Sequence, residues 1–236
     1  MYTTIDGLNA IDVGSGKTIL MLHGYLSCKE SFLRQIDFLK SFFRVVAVDL
    51  NGFGGQKMDY PFSLNDYKNQ VNRVIDRLNV DKVNVLAHSF GARIVFKMLP
   101  ENEKIDRLVI TGGAGLKPRF SLKKRLKIIG YKVLKPFLSE QAKRRFGSSD
   151  YKMLDDVMKK SFIKIVNEHI DCRLCSVKNR TLLIYGENDE VTPLYMAKRF
   201  NKLLTNSDLV VLKNAGHFAF IDKPNEFNFI VKEFLL

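Results

Sequence analysis

The stretch Val83-Asn84-Val85-Leu86-Ala87-His88-Ser89-Phe90-Gly91-Ala92-Arg93 decides how the rest of the chain is read. Its first half is an apolar run. At Ser89 the run stops, and an amphipathic segment continues to Leu99, where Pro100 ends it. The pattern predicts a buried strand, a tight turn with Ser89 at its apex, and a helix. Such a turn brings the two backbones almost into contact, so the positions two before and two after the serine must be small. Ala87 and Gly91 meet that requirement. The motif is G-x-S-x-G with alanine in the first glycine position, and a strand before and a helix after are the context it needs.

Upstream, 2–6 and 9–13 read as short strands around Gly7-Leu8, and Gly14-Ser15-Gly16 turns the chain. Gly16-Lys17-Thr18 has the ending of a phosphate-binding loop. Ile11 stands where that loop's first glycine belongs, and the triplet precedes its strand, so it is read as a turn. A buried strand over 18–22 ends at His23-Gly24-Tyr25. A helix is expected over 29–43, with Phe32, Leu33, Ile36, Leu39 and Phe43 on its apolar face. A strand over 44–50 runs into Asn51-Gly52-Phe53-Gly54-Gly55, and a helix over 63–78 starts at Ser63 as N-cap with Asp66 three residues on.

Downstream, a strand over 105–111 closes on Gly112-Gly113. Another over 181–185 ends in Gly186-Glu187-Asn188-Asp189, and a last over 209–212 is followed by Asn214-Ala215-Gly216-His217. Helices are expected over 193–204 and 224–236. This alternation predicts an α/β protein whose mostly parallel, eight-stranded sheet is flanked by helices. In such sheets ligands bind beyond the carboxyl ends of the strands, where Tyr25, Ser89, Asp189 and His217 all fall.

Hydrophobic content of 46% and charged content of 27% in 236 residues are those of a soluble globular protein. No apolar run approaches the roughly 20 residues of a membrane helix. No signal peptide is visible, and three cysteines do not make a disulfide framework, so a cytoplasmic setting is expected. The net charge of +13 is uneven: residues 116–178 hold 17 Lys and Arg against 6 Asp and Glu. That segment is read as a helical, strongly basic cap inserted between two parts of a core, 1–115 and 179–236. It carries a helix over 121–135, with Leu122, Leu126, Ile129 and Val133 on one stripe, and a second over 151–170. Its charge has three readings: a solvated face, attraction for an anionic substrate, or peripheral contact with an anionic membrane. No nucleic-acid-binding motif accompanies it, and nucleic acid is not an expected partner. His169-x-x-Cys172-x-x-Cys175 has the spacing of a metal set but lacks a fourth ligand, so neither metal nor cofactor is expected. Cys28 reads as a small packing residue.

A serine hydroxyl is a weak nucleophile until a base takes its proton. A histidine can do so, and a carboxylate behind it holds the imidazole and stabilises its charged form. Ser89, Asp189 and His217 stand in the order that the α/β-hydrolases use. The chain resembles that superfamily along its whole length: in the His23-Gly24 loop, the Asp49-to-Gly54 loop, the Ser89 elbow, the Gly186-to-Asp189 turn, the Gly216-His217 loop and the cap after the sixth strand.

The resemblance implies Ser89 as nucleophile, His217 as general base and acid, Asp189 as orienting acid, and the backbone N–H groups of Tyr25 and Phe90 as oxyanion hole. Glu187 and Glu190 lie close enough in sequence to compete with Asp189. The implied activity is a serine hydrolase that cleaves an ester or related carbonyl bond of a small molecule, anionic or acyl-chain bearing, through an acyl-enzyme. Arg93 and His23 are candidate substrate contacts. Arg93 also reads as an ordinary helix arginine, His23 as a shaper of the oxyanion loop, and His88 as packing beneath the elbow. An arginine four residues after the serine is similar to the menaquinone-pathway lyase branch. A lyase or C–C bond hydrolase acting on an anionic substrate is therefore the alternative, and a non-catalytic ligand sensor on the same frame is a third reading.

Overall fold

The protein's computed structural model describes residues 1–99, 101–119 and 154–236. Eight strands form one sheet: β1 (Tyr2–Ile5), β2 (Leu8–Val13), β3 (Thr18–Leu22), β4 (Arg44–Val48), β5 (Val83–His88), β6 (Ile105–Thr111), β7 (Thr181–Gly186) and β8 (Ser207–Leu212), in the order β1-β2-β4-β3-β5-β6-β7-β8. β2 pairs antiparallel with β1 and β4. Every other pairing is parallel, so the expected mostly parallel, eight-stranded sheet is present. The helices among the described residues are α1 (Leu33–Leu39), α2 (Leu64–Arg77), α3 (Phe90–Met98), α4 (Asp156–Asn167), α5 (Asp171–Leu174), α6 (Leu194–Leu203), α7 (Ala219–Asp222) and α8 (Pro224–Leu235). None of them is long and apolar enough to cross a membrane.

β3, β5 and β7 are buried along their full lengths. Successive side chains of a strand point to opposite faces, so a continuous apolar run feeds two cores at once. Leu20 and Leu22 join Val85, Ala87, Leu108 and Ile110 in the core shared with α2, α3 and α6. Ile19 and Met21 join Leu86, Val109 and Ile184 in the core shared with α1, α7 and α8. After β3 the chain goes to β4 on one side, and it returns to β5 on the other. The loops leaving β3 and β5 therefore diverge at the centre of the sheet and leave a crevice between them.

Two helices differ from their sequence patterns. The segment over 29–43 begins as a 3-10 turn, Lys29–Phe32, before α1 starts at Leu33. Lys29 is buried there, its N–H donating to Asp49 Oδ1 at 2.8 Å and its ammonium to Oδ2 at 2.7 Å. This long-range pair fixes the turn and could not be read from local spacing. The helix expected over 151–170 runs from Asp156 to Asn167, capped by Asp155, whose carboxylate accepts from Met158 N at 2.7 Å. The chain leaves the helix at Glu168, and Ile170 N donates instead to Gly115 O at 3.1 Å. The helix expected over 121–135 lies outside the described residues. Ser63 caps α2 as expected, in a reciprocal box with Asp66.

Candidate active site

Ser89 sits between β5 and α3 with φ +48° and ψ −103°, a conformation that a residue bearing a Cβ rarely adopts. Three backbone hydrogen bonds hold it. Its N–H donates to Thr111 O at 3.0 Å, and its carbonyl accepts from Ala92 N at 3.2 Å and Ala114 N at 3.1 Å. Gly91 is required by proximity: a Cβ there would lie 2.5 Å from Leu22 O, so α3 starts almost against β3. Ser89 occupies the N-cap position of α3, yet its side chain makes no capping hydrogen bond. The ordinary reason for a serine at this place is therefore missing. Phe90 is the first residue of α3, where a helix offers no acceptor for the N–H.

The histidine loop and the acid turn are built against each other. Glu187 N donates to Leu212 O at 2.9 Å and Asn188 N to Ala215 O at 2.8 Å. A Cβ on Gly186 would lie 2.2 Å from Gly216 O. Of the three acids in the turn, only Asp189 is buried. Its Oδ2 lies 2.9 Å from His217 Nδ1. Oδ2 also accepts from Thr192 Oγ1 at 2.7 Å, while Oδ1 accepts from the N–H groups of Val191 at 2.9 Å and Thr192 at 2.8 Å. Burial alone would raise the carboxyl pKa. The His217 hydrogen bond and the Thr192 donors outweigh it and hold the group below the usual range, as a carboxylate. An ionised carboxylate only accepts, so the proton of a neutral His217 belongs on Nδ1 and Nε2 presents a lone pair. Glu187 is exposed and accepts from Asn214 N at 3.2 Å instead.

His88 lies beneath this pair. Its ring is 4.7 Å from that of His217, and its Nε2 is 3.2 Å from His217 O. Burial, with His217 adding to it, pushes its pKa down to about 3, so it is neutral. A Cβ on Gly24 would lie 2.6 Å from His88 Nδ1, which requires glycine in the loop after β3.

Ser89 and His217 both line a cavity of about 540 Å³, within the usual range for small-molecule sites. Tyr25, Phe90, Phe162, Ile165, Val191, Met196 and Phe218 make its wall largely apolar, and Arg93 is the one lining cation among the described residues. Arg93 Nη1 donates to Ile165 O at 3.0 Å and Glu168 O at 2.7 Å at the C-terminal end of α4. Burial lowers its pKa to about 10, against the opposing influence of Glu168 and Asp171, so it stays charged. His23 corrects one expectation, because it is not in the cavity wall. It is fully buried, with Nδ1 2.7 Å from Gly24 O and Nε2 accepting from Leu50 N at 3.1 Å. Nδ1 is spent on the backbone of the loop after β3 and Nε2 ties that loop to Leu50 just past β4, so neither is left for a substrate.

Cys28, Glu30 and Asp49 are the one metal-compatible cluster among the described residues. The Lys29 ammonium already sits there, 2.7 Å from both Glu30 and Asp49. His169, Cys172 and Cys175 do not gather into a ligand set among the described residues, and both cysteines are exposed and free. Thr192 escaped the sequence reading. Its signal was the Asp-x-x-Thr spacing, in which an aspartate folds back onto its own turn.

Comparison with known proteins accords with this fold. A 2-hydroxy-6-oxononadienedioate/2-hydroxy-6-oxononatrienedioate hydrolase of Pseudomonas putida is 27% identical over 258 residues, spanning 95% of this chain and 90% of its own. An esterase from Exiguobacterium antarcticum superposes with a TM-score of 0.78 at 23% identity, over 99% of each chain. A meta-cleavage product hydrolase from Pseudomonas fluorescens superposes with a TM-score of 0.76 at 22% identity, over 98% of this chain and 95% of that one. The model of the α/β hydrolase fold matches residues 17–138 and 139–224. Since that match takes in the loops after β3, β5, β7 and β8 from which the cavity is built, the chain belongs to the α/β hydrolase fold family.

Proposed function

We propose that this protein is a serine hydrolase that opens an ester or related carbonyl bond of a small, largely apolar substrate through an acyl-enzyme. One observation carries the reading. Ser89 is held at a strained turn without a capping bond, on the wall of the cavity that His217, paired with Asp189, also lines. In this mechanism His217 Nε2 takes the Ser89 proton as Oγ attacks the carbonyl carbon. The developing oxyanion is met by the N–H groups of Tyr25 and Phe90. His217 then returns the proton to the leaving group, and water repeats the sequence to release the acid. Each oxyanion donor is worth roughly 2.7–4 kcal/mol, because it acts on charge present only in the transition state. Within the segment read as a cap, Leu116 and Pro118 line this pocket, and α4 supplies Phe162 and Ile165 to its wall.

A fluorophosphonate probe tests the reading. It should label the folded protein and leave Ser89→Ala unlabelled, and p-nitrophenyl ester hydrolysis should disappear with the label. Equal labelling of both proteins would overturn the assignment of Ser89.

A second reading is supported by Arg93 in the wall and by the relatives named for oxo-dienoate substrates. In it the same residues hydrolyse a C–C bond beside a ketone, and Arg93 meets a substrate carboxylate. It requires Arg93→Ala to lose activity on carboxylate-bearing substrates while keeping it on neutral esters. Equal loss on both would leave Arg93 a structural role alone.

A further inference from the structure

We infer that Thr192 is a positioning residue that sets the hydrogen bond between Asp189 and His217; this rests on the hydrolase reading above. Thr192 is 3% exposed and touches both carboxylate oxygens, through its N–H on Oδ1 at 2.8 Å and its hydroxyl on Oδ2 at 2.7 Å. The torsion that rotates a carboxylate about its Cβ–Cγ bond is broad. Donors on both oxygens from one residue fix the plane. They also fix which side of Oδ2 is left for the imidazole.

The hydroxyl does more than hold the plane. It has one proton and two acceptor lone pairs. At 2.7 Å from an ionised carboxylate, the proton goes to Asp189 Oδ2. The oxygen then stands 3.4 Å from His217 Nδ1, as a weak second acceptor for the same N–H that Oδ2 receives at 2.9 Å. Thr192 therefore draws charge from Oδ2 and confines the tilt of the ring. His88, whose ring is 4.7 Å away, meets His217 through the backbone carbonyl instead, with Nε2 3.2 Å from His217 O. Among the described residues the side chains within hydrogen-bond distance of His217 Nδ1 are Asp189 and Thr192, so Thr192 is the second group on that side.

The experiment compares the wild type with Thr192→Val and Thr192→Ser in the full chain, with histidines labelled by ¹⁵N. The readouts are the proton resonance of His217 Nδ1–H and the kinetics of p-nitrophenyl ester hydrolysis. In Thr192→Val, Oδ2 gives its density to one donor, so the resonance moves downfield. kcat falls about tenfold, the size of one net hydrogen bond, with KM unchanged. Thr192→Ser restores both. An unmoved resonance in Thr192→Val overturns the inference, as does a serine variant that behaves like valine. Should Thr192→Val not fold, Thr192→Ala supplies the same comparison. The resonance is read whether or not any ester is turned over. Failure of the hydrolase reading, seen as absent Ser89-dependent labelling, is thus distinct from failure of this one.

Discussion

Single positions in this protein are decided by how closely two backbones approach. Gly91 illustrates it. The missing Cβ would stand 2.5 Å from Leu22 O, a backbone atom of a fully buried strand that cannot swing aside. Gly91→Ala must push α3 away from β3. We expect a loss of about 1–3 kcal/mol, the cost of overpacking a tight site, and a drop in thermal midpoint of roughly 2–4 °C per kcal/mol for a chain of this length. Calorimetry of the variant measures both. An unchanged midpoint would show that α3 and β3 are not in the contact described. The residue pattern around Ser89 announced a small residue here, because a tight strand–turn–helix needs one whatever the rest of the chain does. It could not announce Gly24 or Gly186, whose close neighbours are His88 Nδ1 and Gly216 O. Those contacts join parts of the chain far apart in sequence.

Between elements, the decisive device is the clamp from α3 to α4. A helix ends with carbonyls that have no partner of their own, and a cation is favoured at that end. Arg93 supplies one donor group to Ile165 O and Glu168 O, and Lys97 on the next turn of α3 pairs with the Glu168 carboxylate. In Arg93→Met these carbonyls lose a buried partner, with an expected cost of about 1–3 kcal/mol. The amides of the last turn of α4 should exchange faster while those of β5 keep their protection. Hydrogen exchange by mass spectrometry reads this, and equal protection of α4 in both proteins would refute the clamp. From the sequence Arg93 was open between helix strut and substrate contact. Its spacing from Ser89 places it on the cavity side of α3 but does not say what crosses over that side. The ends of α4 were equally hidden, since they are set by Asp155 and by the Gly115 contact of Ile170 rather than by a change in periodicity.

For the molecule as a whole, the buried histidine beneath the site makes stability depend on pH. His88 has its pKa lowered to about 3 in the fold, chiefly by burial, against 6.5 in the unfolded chain. Between these values the unfolded chain holds a proton that the folded one does not, so stability falls as pH falls from about 6.5 towards 3. The loss approaches about 1.4 kcal/mol per pH unit for this group in the middle of the window. His23, lowered by burial too, acts in the same sense. Asp189, whose folded pKa is depressed, adds a loss at still lower pH, below the ordinary carboxylate value. Urea midpoints at pH 7, 6 and 5 should decline, and His88→Asn should flatten the slope by one proton. An unaltered slope would place the dependence elsewhere.

The amino-acid sequence by itself determined the architecture and marked the strand ends where the proposed reacting groups stand. Continuous apolar runs of strand length can only be buried on both faces, and their alternation with amphipathic segments leaves a parallel sheet as the stable arrangement. Glycines and small residues at the strand ends mark the loops where Ser89, Asp189 and His217 stand. Tertiary structure alone decided which acid of the turn meets His217, that Thr192 holds that acid, that His23 is spent on backbone, and that Arg93 serves α4 while lining the cavity. Each of these is a hydrogen bond between groups separated by a turn or by much of the chain. Its existence depends on distances of a few tenths of an ångström that residue type and spacing do not encode.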